Sequence, residues 1–452
     1  MKLPTYPKCK SSGMEWLGDV PEHWEATTVG KIAAKVGSGK TPRGGAEVYG
    51  DQGVIFIRSQ NVHNEGLRLD DVVFIDEEVD EEMAETRVLH GDALLNITGA
   101  SLGRCSGVFE EIGPANVNQH VCIIRPDRSR VDPAFLWRAF VSAGTQSQIF
   151  SYENGSSREG LNFQQVRGLL ITRPPLSEQR AIADFLDERT RKLDVLIEKK
   201  QDLIEKLQEK RTALISQTVT RGLPPEAAKA AGLNPHPKMK DCGIPWWGEI
   251  PEHWELKRSD AIVSSGRTQI SPELFKDREV FHYSIPTVQE FGTGAIEDGE
   301  RIASAKQPIN RITLLVSKLN PRKATICIAE KKEQPTVCST EFVALYAENC
   351  YLQYLKYVTL SELFRQRLDS RVQSVTRSHQ RAESRDITRF WFTWPSISEQ
   401  QCIANFLDYK TAQMDALIER LISTIKVFKE YRSALITAAV TGKIDVRSYT
   451  RD

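Results

Sequence analysis

Residues 174–220 and 395–441 align without a gap at an offset of 221, and 22 of the 47 positions are identical. Both copies open on Ser-Glu-Gln (Ser177 to Gln179, Ser398 to Gln400) and continue through Ile-Ala-x-Phe-Leu-Asp. Both close on Ala-Leu-Ile and then Val-Thr. A shorter repeat lies upstream of each: Pro21-Glu22-His23-Trp24-Glu25 recurs as Pro251-Glu252-His253-Trp254-Glu255, with Trp16 and Gly18 matched by Trp246 and Gly248. The chain therefore runs short motif, long unlike region, long helix, and then the same again. An internal repeat decides architecture before any local signal does.

Its 452 residues exceed one compact core, so two or more domains are expected. No apolar run approaches the ~18 residues of a membrane span. The opening Met-Lys-Leu-Pro-Thr-Tyr-Pro lacks a signal-peptide core. Eight scattered cysteines without a Cys-x-x-Cys pair argue against a disulfide framework or a zinc site, and fit a reducing cytoplasm.

Leu186, Leu193, Leu196, Leu203, Leu207 and Leu214 fall on heptad positions of a helix over 176–221. Leu407, Met414, Leu417, Leu421, Phe428 and Leu435 repeat that register over 396–445. Each helix follows a proline (Pro175, Pro395), with Ser177 and Ser398 suited to N-capping and glycine at the far end. A rod of ~42 residues, roughly 60 Å, with one apolar seam needs a partner, and its own copy paired antiparallel is the obvious one. Lys200 and Lys210 fall on seam positions and make that pairing imperfect. A plain dimerisation coil would show the same heptads. The linker and opening segment of the second repeat occupy 222–255, the corresponding opening segment of the first is 1–25, and 446–452 form a tail.

The inserts, 26–175 and 256–395, share little sequence. Short β-like runs such as Val54 to Ile57, Ala93 to Ile97, Thr313 to Val316 and Phe342 to Tyr346 read as mixed α/β domains. Their net charges are modest: 15 Lys/Arg against 20 Asp/Glu over 25–173, and 21 against 17 over 255–395. If the first insert binds nucleic acid, its acidic run from Asp70 to Glu85 must point away and local loops must carry binding. Loops rich in Arg/Lys, Gln/Asn and Ser/Thr suit base edges and phosphates. In the first insert these are Lys40, Thr41 and Arg43; Arg58, Gln60 and Asn61; Ser101 and Arg104; Ser156, Ser157 and Arg158. In the second they are Arg267 and Gln269; Lys318, Arg322 and Lys323; Arg377, His379, Gln380 and Arg381.

Apparent catalytic motifs do not survive inspection. Ser38-Gly39-Lys40-Thr41 resembles the end of a phosphate loop, but Ala34 stands where that loop needs glycine and Pro42 follows at once. Phe291-Gly292-Thr293-Gly294 resembles a methyltransferase glycine loop, yet no Asn/Asp-Pro-Pro-aromatic motif exists. His23 and His253 lack a partner nucleophile and read as scaffold packing. No Gly-x-Ser-x-Gly or His-Glu-x-x-His set is present.

Taken together, Pro-Pro-Leu-Ser-Glu-Gln-Arg-Ala-Ile-Ala (174–183), its copy at 395–404, Trp-Leu-Gly with Pro-x-His-Trp (16–24), Gly-x-Thr-Pro (39–42) and Thr-Gly-Ala-Ser-Leu-Gly-Arg (98–104) resemble the specificity subunit of type I restriction-modification enzymes. The resemblance implies an α+β fold: two globular mixed α/β target recognition domains joined by two long antiparallel coiled-coil helices about a pseudo-two-fold. It implies that each domain reads one half of a split sequence in double-stranded DNA. The helices would set the gap and dock two modification subunits, and restriction subunits would join that complex. The chain itself would be non-catalytic and hold no cofactor; S-adenosylmethionine, ATP and Mg would sit on the partner subunits. The second half departs from the pattern, with Gly266-Arg267-Thr268-Gln269 in place of Gly-x-Thr-Pro. Rival readings are a stand-alone methyltransferase or nuclease, a coiled-coil adaptor that binds only protein, and an orphan subunit that retargets a host methylase.

Overall fold

In both inserts the apolar runs become strands because alternate residues meet two different apolar surfaces. Ala93 and Leu95 join one buried cluster and Leu94 another; Cys122 and Ile124 divide from Val121 and Ile123 in the same way. This period of two places one face of the sheet on helices and the other on a second sheet. The computed structural model describes residues 4–13, 17–152, 160–244, 246–261, 264–265, 268–346, 349–371 and 380–449. They form two compact units, residues 1–200 with 423–452, and residues 201–422.

The first unit holds a four-stranded antiparallel sheet in the order Cys105–Gly107, Ala93–Asn96, Val121–Pro126, Ala33–Ser38. A three-stranded sheet follows the order Ala115–Val117, Val54–Ile57, Val73–Ile75, its first pair parallel. Glu25–Thr28 pairs with Leu170–Arg173 where the chain enters and leaves the domain. The second unit repeats this plan with almost none of the sequence. Its antiparallel sheet runs Ile326–Ala329, Thr313–Ser317, Phe342–Tyr346, Ser264–Ser265. Its other sheet runs Ala295–Asp298, Glu279–Tyr283, Thr336–Ser339, Lys306–Pro308, the central pair parallel. Glu255–Arg258 pairs with Trp391–Trp394.

Two helices, Leu176–Arg221 and Ile397–Val440, carry the repeated sequence. Each unit's core is closed by the start of one and the end of the other. Leu435, Ile436, Ala439 and Val440 pack with Ile182, Phe185 and Leu186 in the first unit. Ile215 and Val219 pack with Ile403, Ala404 and Leu407 in the second. The pairing is antiparallel within each unit. In the first, Thr172 donates to the Val440 carbonyl and Arg432 Nε lies 3.0 Å from Asp194 Oδ1. In the second, Thr393 donates to the Val219 carbonyl at 2.7 Å and Arg211 Nε to Asp415 Oδ1 at 2.9 Å. These are the same two contacts displaced by the repeat offset.

The repeated motifs now have a physical account. Glu178 accepts from the Tyr6 hydroxyl and lies 2.9 Å from His23 Nε2; Glu399 lies 3.1 Å from His253 Nε2. Each Ser-Glu-Gln glutamate thus grips the His-Trp segment of its own repeat. The next residue spans two backbone groups. Gln179 Oε1 accepts from the Asp132 amide at 2.7 Å while Nε2 donates to the Pro174 carbonyl at 2.7 Å. Gln400 does the same with Tyr351 and Pro395, both at 3.0 Å. Both glutamines are fully buried. Gln179→Ala would strand two buried backbone groups at about 1–3 kcal/mol each. The expected loss is about 2–4 kcal/mol in urea unfolding, and a loss below roughly 0.5 kcal/mol would mean that the bridge holds nothing.

Two sequence expectations are corrected. Ser177 and Ser398 are not caps: the helices begin earlier, at Leu176 and Ile397, and the Glu399 amide donates instead to Ser396 Oγ at 3.3 Å. One of the two rows of the seam is also shifted by one residue. Leu186, Leu193, Leu207, Leu214, Leu407, Met414, Leu421, Phe428 and Leu435 are buried or half-buried. Leu196, Leu203 and Leu417, however, are 45%, 43% and 42% exposed. Ile197, Ile204, Ile418 and Ile425 take their place in the packed row. Lys210 is exposed and Arg211 occupies the seam, while Lys200 lies 5.7 Å over the Phe428 ring. No described helix is long and apolar enough to cross a membrane.

Candidate nucleic-acid interface

The sheet order gathers the polar loops of the first unit at one end. Ala33–Ser38 and Ala93–Asn96 both run antiparallel to Val121–Pro126, so their last residues share an edge with its first. Ala115–Val117 and Val54–Ile57 are parallel and end together. The segments that follow these strands are 39–43, 58–61, 98–104 and 118–120. Hydrogen bonds tie them to one another: Gly39 N to Val121 O at 3.3 Å, Asn118 N to Ile57 O at 3.0 Å, Ile97 N to His120 O at 3.0 Å, and Asn96 Nδ2 to Ser59 O at 2.8 Å. At Gly39 a Cβ would lie 1.7 Å from the Val117 carbonyl oxygen, so only glycine lets this loop close on its neighbour.

Lys40, Thr41, Arg43 and Arg104 are exposed on these loops, and Ser101 is half-buried. Arg58 donates to the Asp71 carbonyl at 3.2 Å and Gln60 to Asp71 Oδ2 at 2.9 Å. Asn61 differs from expectation. It is 2% exposed, and its side chain accepts from the Arg58 amide and donates to the Arg68 and Asp71 carbonyls. It shapes the loop and presents nothing to a ligand. Ser156, Ser157 and Arg158 lie outside the described residues.

The acidic run divides. Val73–Ile75 is antiparallel to Val54–Ile57 with Ile75 opposite Val54, so helix Glu77–Glu82 starts at the far end from the loops. Asp71, by contrast, sits among them beside Arg58 and Gln60. Sequence reasoning missed the turn at Asn118, Gln119 and His120. Gln119 is exposed, its Nε2 lies 2.9 Å from His120 Nε2, and His120 Nδ1 is 2.6 Å from Thr98 Oγ1. A polar triplet between two apolar runs was the available signal.

The second unit builds the equivalent end from the segments after Thr313–Ser317 and Thr336–Ser339, where Gln269 shares a cavity wall with Lys318 and Thr340. Gln269 is exposed there and Lys318 half-buried. Arg381 joins them through a bridge to Leu319 and pairs with Glu341 at 2.7 Å; the Gln380 carbonyl accepts from the Asn320 amide at 2.8 Å. Arg322 forms a two-pronged pair with Asp369 at 2.8 and 2.7 Å, and Lys323 beside it is exposed. Exposed pairs of this kind contribute about 0–1 kcal/mol and yield readily to a phosphate. Arg267, Arg377 and His379 lie outside the described residues.

Comparison with known proteins converges on one class. A family profile for the type I restriction modification DNA specificity domain matches residues 21–206. The sequence is 22% identical over 466 aligned residues, 96% of each chain, to the putative type I restriction enzyme MjaX specificity subunit of Methanocaldococcus jannaschii. It is 24% identical over 172 residues to the type I restriction enzyme EcoBI specificity subunit of Escherichia coli, covering 37% of this chain and 35% of that one. A solved structure from work on "Structural basis underlying complex assembly and conformational transition of the type I R-M system" matches with a TM-score of 0.62 at 17% identity. It covers 94% of this chain and 99% of that one, a likeness of fold.

Proposed function

We propose that this chain, whose residues 21–206 match the profile of the type I restriction modification DNA specificity domain, reads a bipartite DNA target, one half-site for each unit. The observation that carries this reading is the loop cluster built twice. Two domains of one topology present strand-end loops of unlike polar residues, which suits two half-sites of different sequence. Methylation and cleavage fall to partner subunits in the cytoplasm that hold S-adenosylmethionine, ATP and Mg. The helices supply the dock for two modification subunits. Leu196, Val427 and Tyr431 in the first unit, and Leu203, Leu417 and Ile422 in the second, are left exposed on the helices as apolar side chains that such partners would cover.

Single-molecule methylation mapping of DNA from cells that express this chain with its cognate modification subunit tests the reading. The expected result is a new split motif with methyl-adenine in each half and a fixed gap. No new methylation, with the modification subunit shown competent beside another specificity subunit, would instead favour a protein-binding adaptor.

A further inference from the structure

The second unit departs from the first where Gly-x-Thr-Pro is missing, and there the structure holds a cavity of about 330 Å³. Gln269, Gln307, Lys318, Thr340, Arg385 and Arg389 contribute to its wall, and among the described residues no carboxylate lines it. Lys318, Arg385 and Arg389 share this wall, and like charges in one cavity repel one another until an anion joins them. Two acids lie within electrostatic reach of these cations, and each holds an arginine outside the cavity wall. Glu341 takes Arg381 at 2.7 Å, and Asp260, within electrostatic reach of Arg389, takes Arg258 at 2.7 Å. Arg385 pairs with the half-buried Glu383 at 2.6 Å. Burial, and after it the nearby Arg381, hold the Lys318 amine below its ordinary range against the opposing pull of Glu341. Hydroxyls of Thr340, Ser384 and Thr388 add neutral donors.

We propose that this cavity binds a backbone phosphodiester of the DNA target, held by Lys318, Arg385 and Arg389. The proposal rests on the specificity-subunit reading and adds the residues that anchor the second half-site. The arginines were not visible as candidates in the sequence, because only the fold brings Arg385, on the helix Ser384–Thr388, and Arg389 just after it into one wall with Lys318 and Thr340.

Salt titrations of duplex binding by the chain in complex with its modification subunits provide the test, with Arg385→Gln, Arg389→Gln and the double variant. Both side chains are exposed, so folding should be retained, and a melting curve checks this. Each single variant should weaken binding about ten-fold, and the double variant should shallow the logarithmic salt slope by about 2. The mapped methylation motif should keep both halves, because phosphate contacts carry no sequence information. Unchanged affinity and slope in a folded double variant would overturn the proposal while leaving the parent reading intact. A changed second half-motif would mean that the cavity reads bases, which also overturns it. Millimolar inorganic phosphate competing with duplex at matched ionic strength would make this a free-phosphate site, again against the proposal. A wild-type complex with no preference among duplexes would remove the parent reading itself.

Discussion

Trp24→Ala is expected to cost the first unit about 3–5 kcal/mol, and Trp254→Ala the second unit as much. Both indoles are fully buried, each in the largest apolar cluster of its unit. Each touches the glycine that ends the long helix of the other repeat. A Cβ at Gly442 would lie 3.2 Å from the Trp24 ring and 2.2 Å from Pro21 Cδ, and one at Gly222 would lie 3.6 Å from the Trp254 ring. Both glycines have positive φ, +71° and +89°, so the helix terminates by a left-handed turn onto the indole. Removing the ring would therefore open a cavity at the junction of a recognition domain, its own helix and the returning helix. The control is phenylalanine. Among the described residues neither indole N–H has a hydrogen-bond partner. Trp24→Phe sacrifices volume alone and should lose about 1–2 kcal/mol. Urea unfolding of the chain, or of its complex if the chain is insoluble alone, measures both. A phenylalanine variant as damaged as the alanine variant would show that shape, not burial, is what this position demands.

The repeat made the scaffold legible because identical residues must satisfy identical contacts. His23 and His253 were readable as packing, and the structure supplies their partners in Glu178 and Glu399. Other features were hidden for definable reasons. The seam rows at +3 and +4 from Leu193 both fit a heptad, and the +3 row looked more apolar because it held Leu196 and Leu203. The true row includes Thr190, Arg211 and Thr218, whose polar groups look wrong for a seam. Arg211 belongs there because Asp415 meets it across the pair. The shared topology of the inserts was equally invisible. Strands buried on both faces need only be apolar, so Leu94 and Leu315 answer the same demand with no common sequence. Among the loops, composition found Lys40 and Arg104 but could not separate them from Asn61, which spends the same chemistry on its own backbone.

Inserting one heptad after Lys200 and a matched heptad after Ile422 should lengthen the gap of the methylated motif and leave both half-sites unchanged. These positions are the boundaries of the two compact units, so neither recognition domain is altered. A heptad keeps the 3.5-residue seam in register, whereas a four-residue insertion would turn Ile204 and Leu207 off it. Seven residues add ~10.5 Å of helix, equivalent to about three base pairs at 3.4 Å each. Three base pairs also turn the duplex by roughly 100°, so bending or twisting must absorb part of the change at a cost of order 1–6 kcal/mol. The expected result is a gap wider by about two to three base pairs with a lower extent of modification. A heptad in one helix alone should leave its partner seam unmatched and abolish modification. If the matched insertion changed a half-site and left the gap as it was, the helices would not be the ruler. Spacing would then have to come from the recognition domains or from the modification subunits proposed to dock on the helices.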